Sequence, residues 1–165
     1  MNFFNGQCQK GPFAQELFGV CDDQKGQVAY VDPDAANADK WIARVENAKQ
    51  IPVTLTAIDK CVLQDTDAPG RGRCDAMLTT DRLLYLLELK DQRSDWRQHA
   101  YEQLESTIQF LHEAHPADIK RFTTKKAFAC NRKHPAFVVL EPELKLRFSK
   151  YGFRIDTQAT VVVVS

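Results

Sequence analysis

Leu83-Leu-Tyr-Leu-Leu-Glu-Leu-Lys90 decides the fold. It is apolar until its end, as expected of a central strand covered on both faces. Upstream, Thr80-Asp81-Arg82 reads as a tight reversal and residues 73–79 as the preceding strand. A reversal centred on Asp81-Arg82 sets Met77 opposite Leu86 and Asp75 opposite Glu88, and opposed residues share a face. Side chains alternate along a strand, so Glu88 and Lys90 also project from that face, while Leu89 points to the other and can join the core. Two carboxylates and an ammonium are thereby expected to converge.

Two carboxylates side by side at the end of an apolar strand are unfavourable unless a positive charge lies between them. A divalent cation supplies that charge. Oxygen donors without imidazole or thiolate suit a hard ion, so Mg²⁺ or Mn²⁺ fits better than zinc. Such an ion acidifies a bound water and stabilises charge on a phosphoryl centre, with Lys90 orienting the water or contacting the phosphate. The chemistry expected is phosphodiester hydrolysis.

Outward from the hairpin, residues 53–58 alternate as a first strand, and Asp65-Thr-Asp-Ala-Pro-Gly-Arg-Gly72 makes a loop. Before these, residues 11–19 read as a short helix entered through Pro12 and carrying Glu16. A second helix, capped by Asp34, is expected to run to about Gln50 on the spacing of Trp41, Ile42, Val45 and Ala48. After the hairpin, Ser94 or Asp95 caps a helix to about Ala114 with Trp96, Ala100, Leu104, Thr107, Ile108 and Leu111 on one stripe. Strands at 127–130 and 136–140, a helix at 142–151 stopped by Gly152, and β structure at 153–155 and 160–164 complete the chain. The fold class is α/β (α+β) with a central mixed sheet.

The 165 residues suit a single domain spanning residues 1–165, and 44% hydrophobic with 27% charged residues is ordinary globular composition. No export signal or membrane span is legible, and five widely spaced cysteines without a CxxC pair suggest neither a disulfide framework nor a zinc ribbon. Free thiols in a reducing, cytoplasmic setting are expected. Net charge is zero but segregated: −4 over residues 1–69, −3 over 70–119, +8 over 120–154 and −1 in the tail. A basic C-terminal third beside a cation-binding centre suits a phosphate-binding face, with Lys120, Arg121, Lys125, Lys126, Arg132 and Lys133 as its contacts.

Asp75, a spacer of twelve, then Glu88-Leu89-Lys90, resembles the PD-(D/E)xK nuclease signature of restriction endonucleases and Holliday-junction resolvases. Cys74 stands where the motif's name has proline. The order of elements over about residues 12–130 is similar too, giving an αβββαβ core. The resemblance implies a restriction endonuclease-like fold, Asp75, Glu88 and the Leu89 backbone carbonyl as metal ligands, and Lys90 as the catalytic lysine. It further implies Glu16 as the N-terminal acid that holds metal or its water. Gln103 is implied as a glutamine near the site, with Gln98 and Tyr101 as neighbouring candidates.

The expected function is that of a Mg²⁺- or Mn²⁺-dependent nuclease acting on DNA. The contrasting reading is an inactive nuclease-fold binding or immunity-type protein with a protein partner. A terminal strand at 161–164 could serve as the edge of a homodimer. His112 and His115, one helical turn apart, sit where cationic side chains favour a helix end, and Cys130 with His134 lacks a second ligand pair. Trp41 and Trp96 read as core.

Overall fold

The structure, a computed structural model, describes residues 1–164. Its strands are β1 (Gln9–Phe13), β2 (Leu17–Cys21), β3 (Tyr30–Asp32), β4 (Ala43–Glu46), β5 (Val53–Ala57), β6 (Ala76–Thr79), β7 (Leu83–Lys90), β8 (Thr124–Asn131), β9 (Arg154–Thr157) and β10 (Thr160–Val162). The helices are α1 (Arg97–Ala114) and α2 (Pro142–Ser149), with 3-10 turns at Gly6–Cys8, Ala35–Lys40 and Asp118–Arg121.

Six strands form a mixed sheet in the order β1-β5-β6-β7-β8-β9. From β1 to β7 neighbours are antiparallel, whereas β7, β8 and β9 run parallel. The parallel step from β7 to β8 is bridged by α1, because parallel neighbours need a crossover long enough to return the chain. A second sheet has the order β10-β4-β2-β3. The central strand β7 is buried along its whole length. Leu84 and Leu86 pack with Met77, Ala127 and Ala129 beneath Ala100, Leu104, Ile108 and Leu111 of α1. On the opposite face Tyr85, Leu87 and Leu89 pack with Leu55 and Leu78 against Phe18, Val20 and Val45 of the second sheet. The molecule is thus layered as helices, large sheet, small sheet.

The hairpin register is as expected: Met77 pairs with Leu86, and Thr80 closes the reversal by bonding Leu83. The βββαβ part of the expected core is present. The leading helices are not. Residues 11–19 contribute β1 and β2, since Gly11 has φ +112° and Phe18 and Val20 pair with β4. Asp34 does cap a turn, accepting the Ala36 N–H at 3.0 Å, but that turn ends at Lys40. Beyond it Ala43 and Val45 are buried while Arg44 is exposed, a period of two. Pairing of β4 with both β2 and β10 outweighs the helical spacing of Trp41, Ile42 and Val45.

Three smaller expectations also fail. Trp96, not Ser94 or Asp95, occupies the N-cap of α1, without a side-chain bond, and Asp95 has φ +56°. Residues 136–140 make one bridge, Val138 to Thr157, because β9 already fills the outer edge of β8. Cys8 and Cys61 form a disulfide with Cα atoms 5.7 Å apart, while Cys21, Cys74 and Cys130 are free and buried. The 53-residue separation hides this pairing from any motif, and free thiols no longer argue for a reducing compartment. Among the described residues no helix is long and apolar enough to cross a membrane.

Candidate functional site

Asp75 extends the β6 ladder by one residue. Its N–H donates to the Leu87 carbonyl at 3.1 Å and its carbonyl accepts from Ile58 N at 2.9 Å. Its side chain reaches across to the end of β7, where Oδ2 accepts the Leu89 N–H at 2.7 Å. Asp75, Glu88 and Lys90 lie on the helix-covered face of the sheet, with exposures of 8%, 2% and 7%. Lys90 Nζ stands 3.2 Å from Glu88 Oε1 and donates to Gln103 Oε1 at 2.8 Å. Gln103 in turn donates through Nε2 to the Arg73 carbonyl at 3.3 Å, which anchors it between α1 and the strand leading into β6. The expected convergence of Asp75, Glu88, Lys90 and Gln103 is therefore present. Of the neighbouring candidates, Gln98 bonds Glu102 and the Tyr101 hydroxyl bonds Thr157.

Burial pushes the Glu88 carboxyl up to about 7, against the opposing pull of the Lys90 ammonium. Burial, and then the charge of Glu88, hold Asp75 well above the usual carboxylate range. Glu88 Oε2 is buried without a hydrogen-bond partner. Two ionised carboxylates offer each other no donor, so this oxygen is satisfied only by a proton on Asp75 or by a cation. That orphaned oxygen, next to a second carboxylate, fits a hard divalent ion.

Glu16 is not part of this cluster. It is exposed in the turn between β1 and β2, and its carbonyl accepts from Asn47. Phe13, just before that turn, pairs with Val53, at the opposite end of β5 from Ala57 and Asp75. The third acid is Asp22, directly after β2, whose carboxyl hydrogen-bonds with that of Asp75 and raises its affinity for the proton. Asp59 adds a further negative field at Glu88 while pairing with Arg73 Nε at 2.6 Å.

The backbone carbonyl of Leu89 also belongs here. Leu87 O is the last on its side to meet a β6 backbone N–H. Leu89 O, two residues on, lies past the ladder and accepts from Gln24 Nε2 at 3.2 Å. Gln24 holds φ +59°, and its N–H donates to Asp22 Oδ1 at 2.8 Å. The turn after β2 thus covers the open end of the hairpin. Asp22 was legible in one respect: it follows the apolar run Phe18–Cys21 as Glu88 follows its own, but the region reads as strand only through pairing with β4.

The expected basic face is divided. Lys125 and Lys126 pair with Leu84 and Tyr85, the far end of β7 from Glu88, and point to opposite faces of the sheet. Lys125 Nζ donates to the Phe122 carbonyl and Lys126 Nζ lies 5.7 Å from the Tyr85 ring. Lys120 and Arg121 lie beside them, with Arg121 over Phe4 and Phe122. Arg132 and Lys133 sit at the site end and pair with Asp91. A sequence block of +8 does not become one surface.

The histidines take structural roles. His115 accepts the Phe3 N–H and meets Asp118, and His112 bonds the Tyr151 carbonyl. Among the described residues no group of three or more His, Cys, Asp and Glu side chains is arranged to hold a metal ion. The donors available at the hairpin end are two carboxylates, Asp75 and Glu88, with Leu89 O. No family model matches the chain, and no curated protein and no solved structure matches it.

Proposed function

We propose that the chain is a Mg²⁺- or Mn²⁺-dependent nuclease of the PD-(D/E)xK, restriction endonuclease-like type, cleaving phosphodiester bonds in DNA. The observation that carries the reading is the convergence of Asp75, Glu88 and Lys90 at one strand end, with Glu88 Oε2 left without a donor. The βββαβ order around it supports the same reading. Asp75, Glu88 and the Leu89 carbonyl would hold the ion, with Asp22 behind Asp75. When bound, the ion supplies Lewis-acid stabilisation of the phosphoryl oxygens and acidifies its water. Lys90 orients the attacking water or contacts the scissile phosphate as charge builds there. Gln103 Oε1 fixes the Lys90 ammonium, so its direction does not depend on substrate. The experiment is cleavage of linear, branched and single-stranded DNA with Mg²⁺ or Mn²⁺, with Asp75→Asn as the inactive control.

A second reading, an inactive nuclease-fold binding or immunity-type protein, is favoured by one observation: the three central side chains are almost wholly buried. Failure to cleave any of these substrates with either metal, by protein that melts cooperatively, would leave that reading standing. As to location, a disulfide persists most readily in oxidising compartments, so the Cys8–Cys61 bond weighs against the cytoplasmic placement expected from the cysteine pattern.

A further inference from the structure

Three residues beyond Lys90 the surface opens into a groove of about 490 Å³, walled by Arg93, Asp95, Trp96, Arg97 and His134. We propose that this groove seats the phosphate backbone of a nucleic-acid strand on its way into the Asp75–Glu88 site; the proposal rests on the nuclease reading and assigns the substrate-binding face within it.

Arg71, Arg73, Arg132 and Arg147 each pair with a carboxylate, of Glu113, Asp59, Asp91 and Glu105 respectively. Arg93 and Arg97 are exposed and, among the described residues, neither has an acidic partner within ion-pair distance. The Arg97 guanidinium lies 6.0 Å above the Trp96 ring, a platform that holds a planar cation without neutralising it. Asp95 is the one carboxylate on the wall.

Geometry adds the direction. His134 Nε2 meets the Arg93 carbonyl at 2.5 Å, which ties the wall after β7 to the turn after β8. The first turn of α1 has no side-chain cap, so its free N–H groups open at the same place. Three residues of chain span at most about 11 Å. At a rise of about 3.4 Å per nucleotide along a strand, Arg93 on the groove wall therefore stands no more than about three steps from the lysine. Two unneutralised guanidiniums on one groove wall suit neighbouring phosphates of the strand being cut, whereas Lys125 and Lys126 lie at the other end of the sheet.

The test is fluorescence anisotropy of a labelled single-stranded and a labelled duplex DNA with EDTA present, over a range of salt. Arg93→Glu with Arg97→Glu should weaken binding at least tenfold and lower the slope of log K against log salt by about 2, since each phosphate contact contributes roughly 0.9. Lys125→Glu with Lys126→Glu should leave the slope unchanged. Both positions of the first pair are exposed, so thermal melting should match the wild type. Wild-type binding that the Arg93 and Arg97 reversals do not alter would overturn the groove and leave the nuclease reading intact. Wild-type protein that binds neither DNA at low salt would overturn both.

Discussion

Asp75 and Glu88 face each other at the open end of the β6–β7 hairpin, where the charge of Glu88 raises the cost of ionising Asp75 while Asp75 eases the ionisation of Glu88; burial dominates at both, and Lys90 offsets it at Glu88. The carboxyl of Asp75 also meets that of Asp22, which raises its affinity for the proton further. Without a cation the pair holds protons that the unfolded chain would release.

The sign of the pH dependence follows. Glu88 titrates near 4.5 when unfolded and at about 7 when folded, so between those values the unfolded chain loses a proton that the folded chain keeps. Stability is greatest below the lower value and falls as pH rises through the upper one. Metal-free protein should lose on the order of 3 kcal/mol from Glu88 across that window, and Asp75 acts in the same direction. Melting temperature measured from about pH 5 to pH 8 should fall, the fall should be shallower in Glu88→Gln, and Mn²⁺ should restore most stability at the alkaline end. A melting temperature that rises over this interval would mean that the pair is ionised and solvated.

On the nuclease reading, Lys90→Ala should lower turnover by about a hundredfold with Mg²⁺ affinity retained, because the ammonium would act where charge develops. Glu88→Ala should weaken metal binding itself, so excess metal recovers activity in that variant alone. Calorimetric titration with Mn²⁺ separates the two without relying on turnover.

Asp22→Asn should weaken Mn²⁺ binding severalfold, whereas Glu16→Gln should leave it unchanged, since Asp22 meets Asp75 and Glu16 sits at the other end of β5. Equal effects from the two substitutions would return Glu16 to the site.

Gly19→Ala should destabilise the fold by at least about 2 kcal/mol. A Cβ there would lie 2.1–2.3 Å from atoms of the buried Trp41 ring, which cannot retreat through a packed layer. Chemical denaturation measures the loss.

Reduction of Cys8–Cys61, or Cys8→Ser with Cys61→Ser, should cost about 4 kcal/mol in the chain-entropy account of a loop this long. Melting with and without dithiothreitol reads it directly.

What could be read ahead of the structure was local. The hairpin register needs only a reversal and an alternation, and both lie within residues 73–90, so Asp75, Glu88 and Lys90 were legible together. Gln103 came only from the resemblance to the nuclease signature, and α1 does bring it to Lys90. Gln24 was not legible and Asp22 only through its place after the apolar run Phe18–Cys21, because the turn that carries them reaches the site through the pairing of β2 with β4 and β3. The same long-range pairing turned residues 43–46 from an apparent helix into β4. Charge blocks misled for a related reason: Lys125 and Lys126 are adjacent in sequence, yet alternation along β8 sends them to opposite faces.

The acids come from two different sheets, Asp22 from the small one and Asp75 with Glu88 from the large one, and what separates those sheets is the apolar layer containing Phe18, Val20, Leu55, Leu78 and Leu87. That layer therefore sets how far apart stand the two sheets from which the acids are carried. A methylene added or removed in it, well away from any polar atom, would change how closely the three carboxyls are held, and so how firmly they keep their protons. On the metal-binding reading proposed above, ion affinity would then drift through substitutions in aliphatic side chains that never touch the ion.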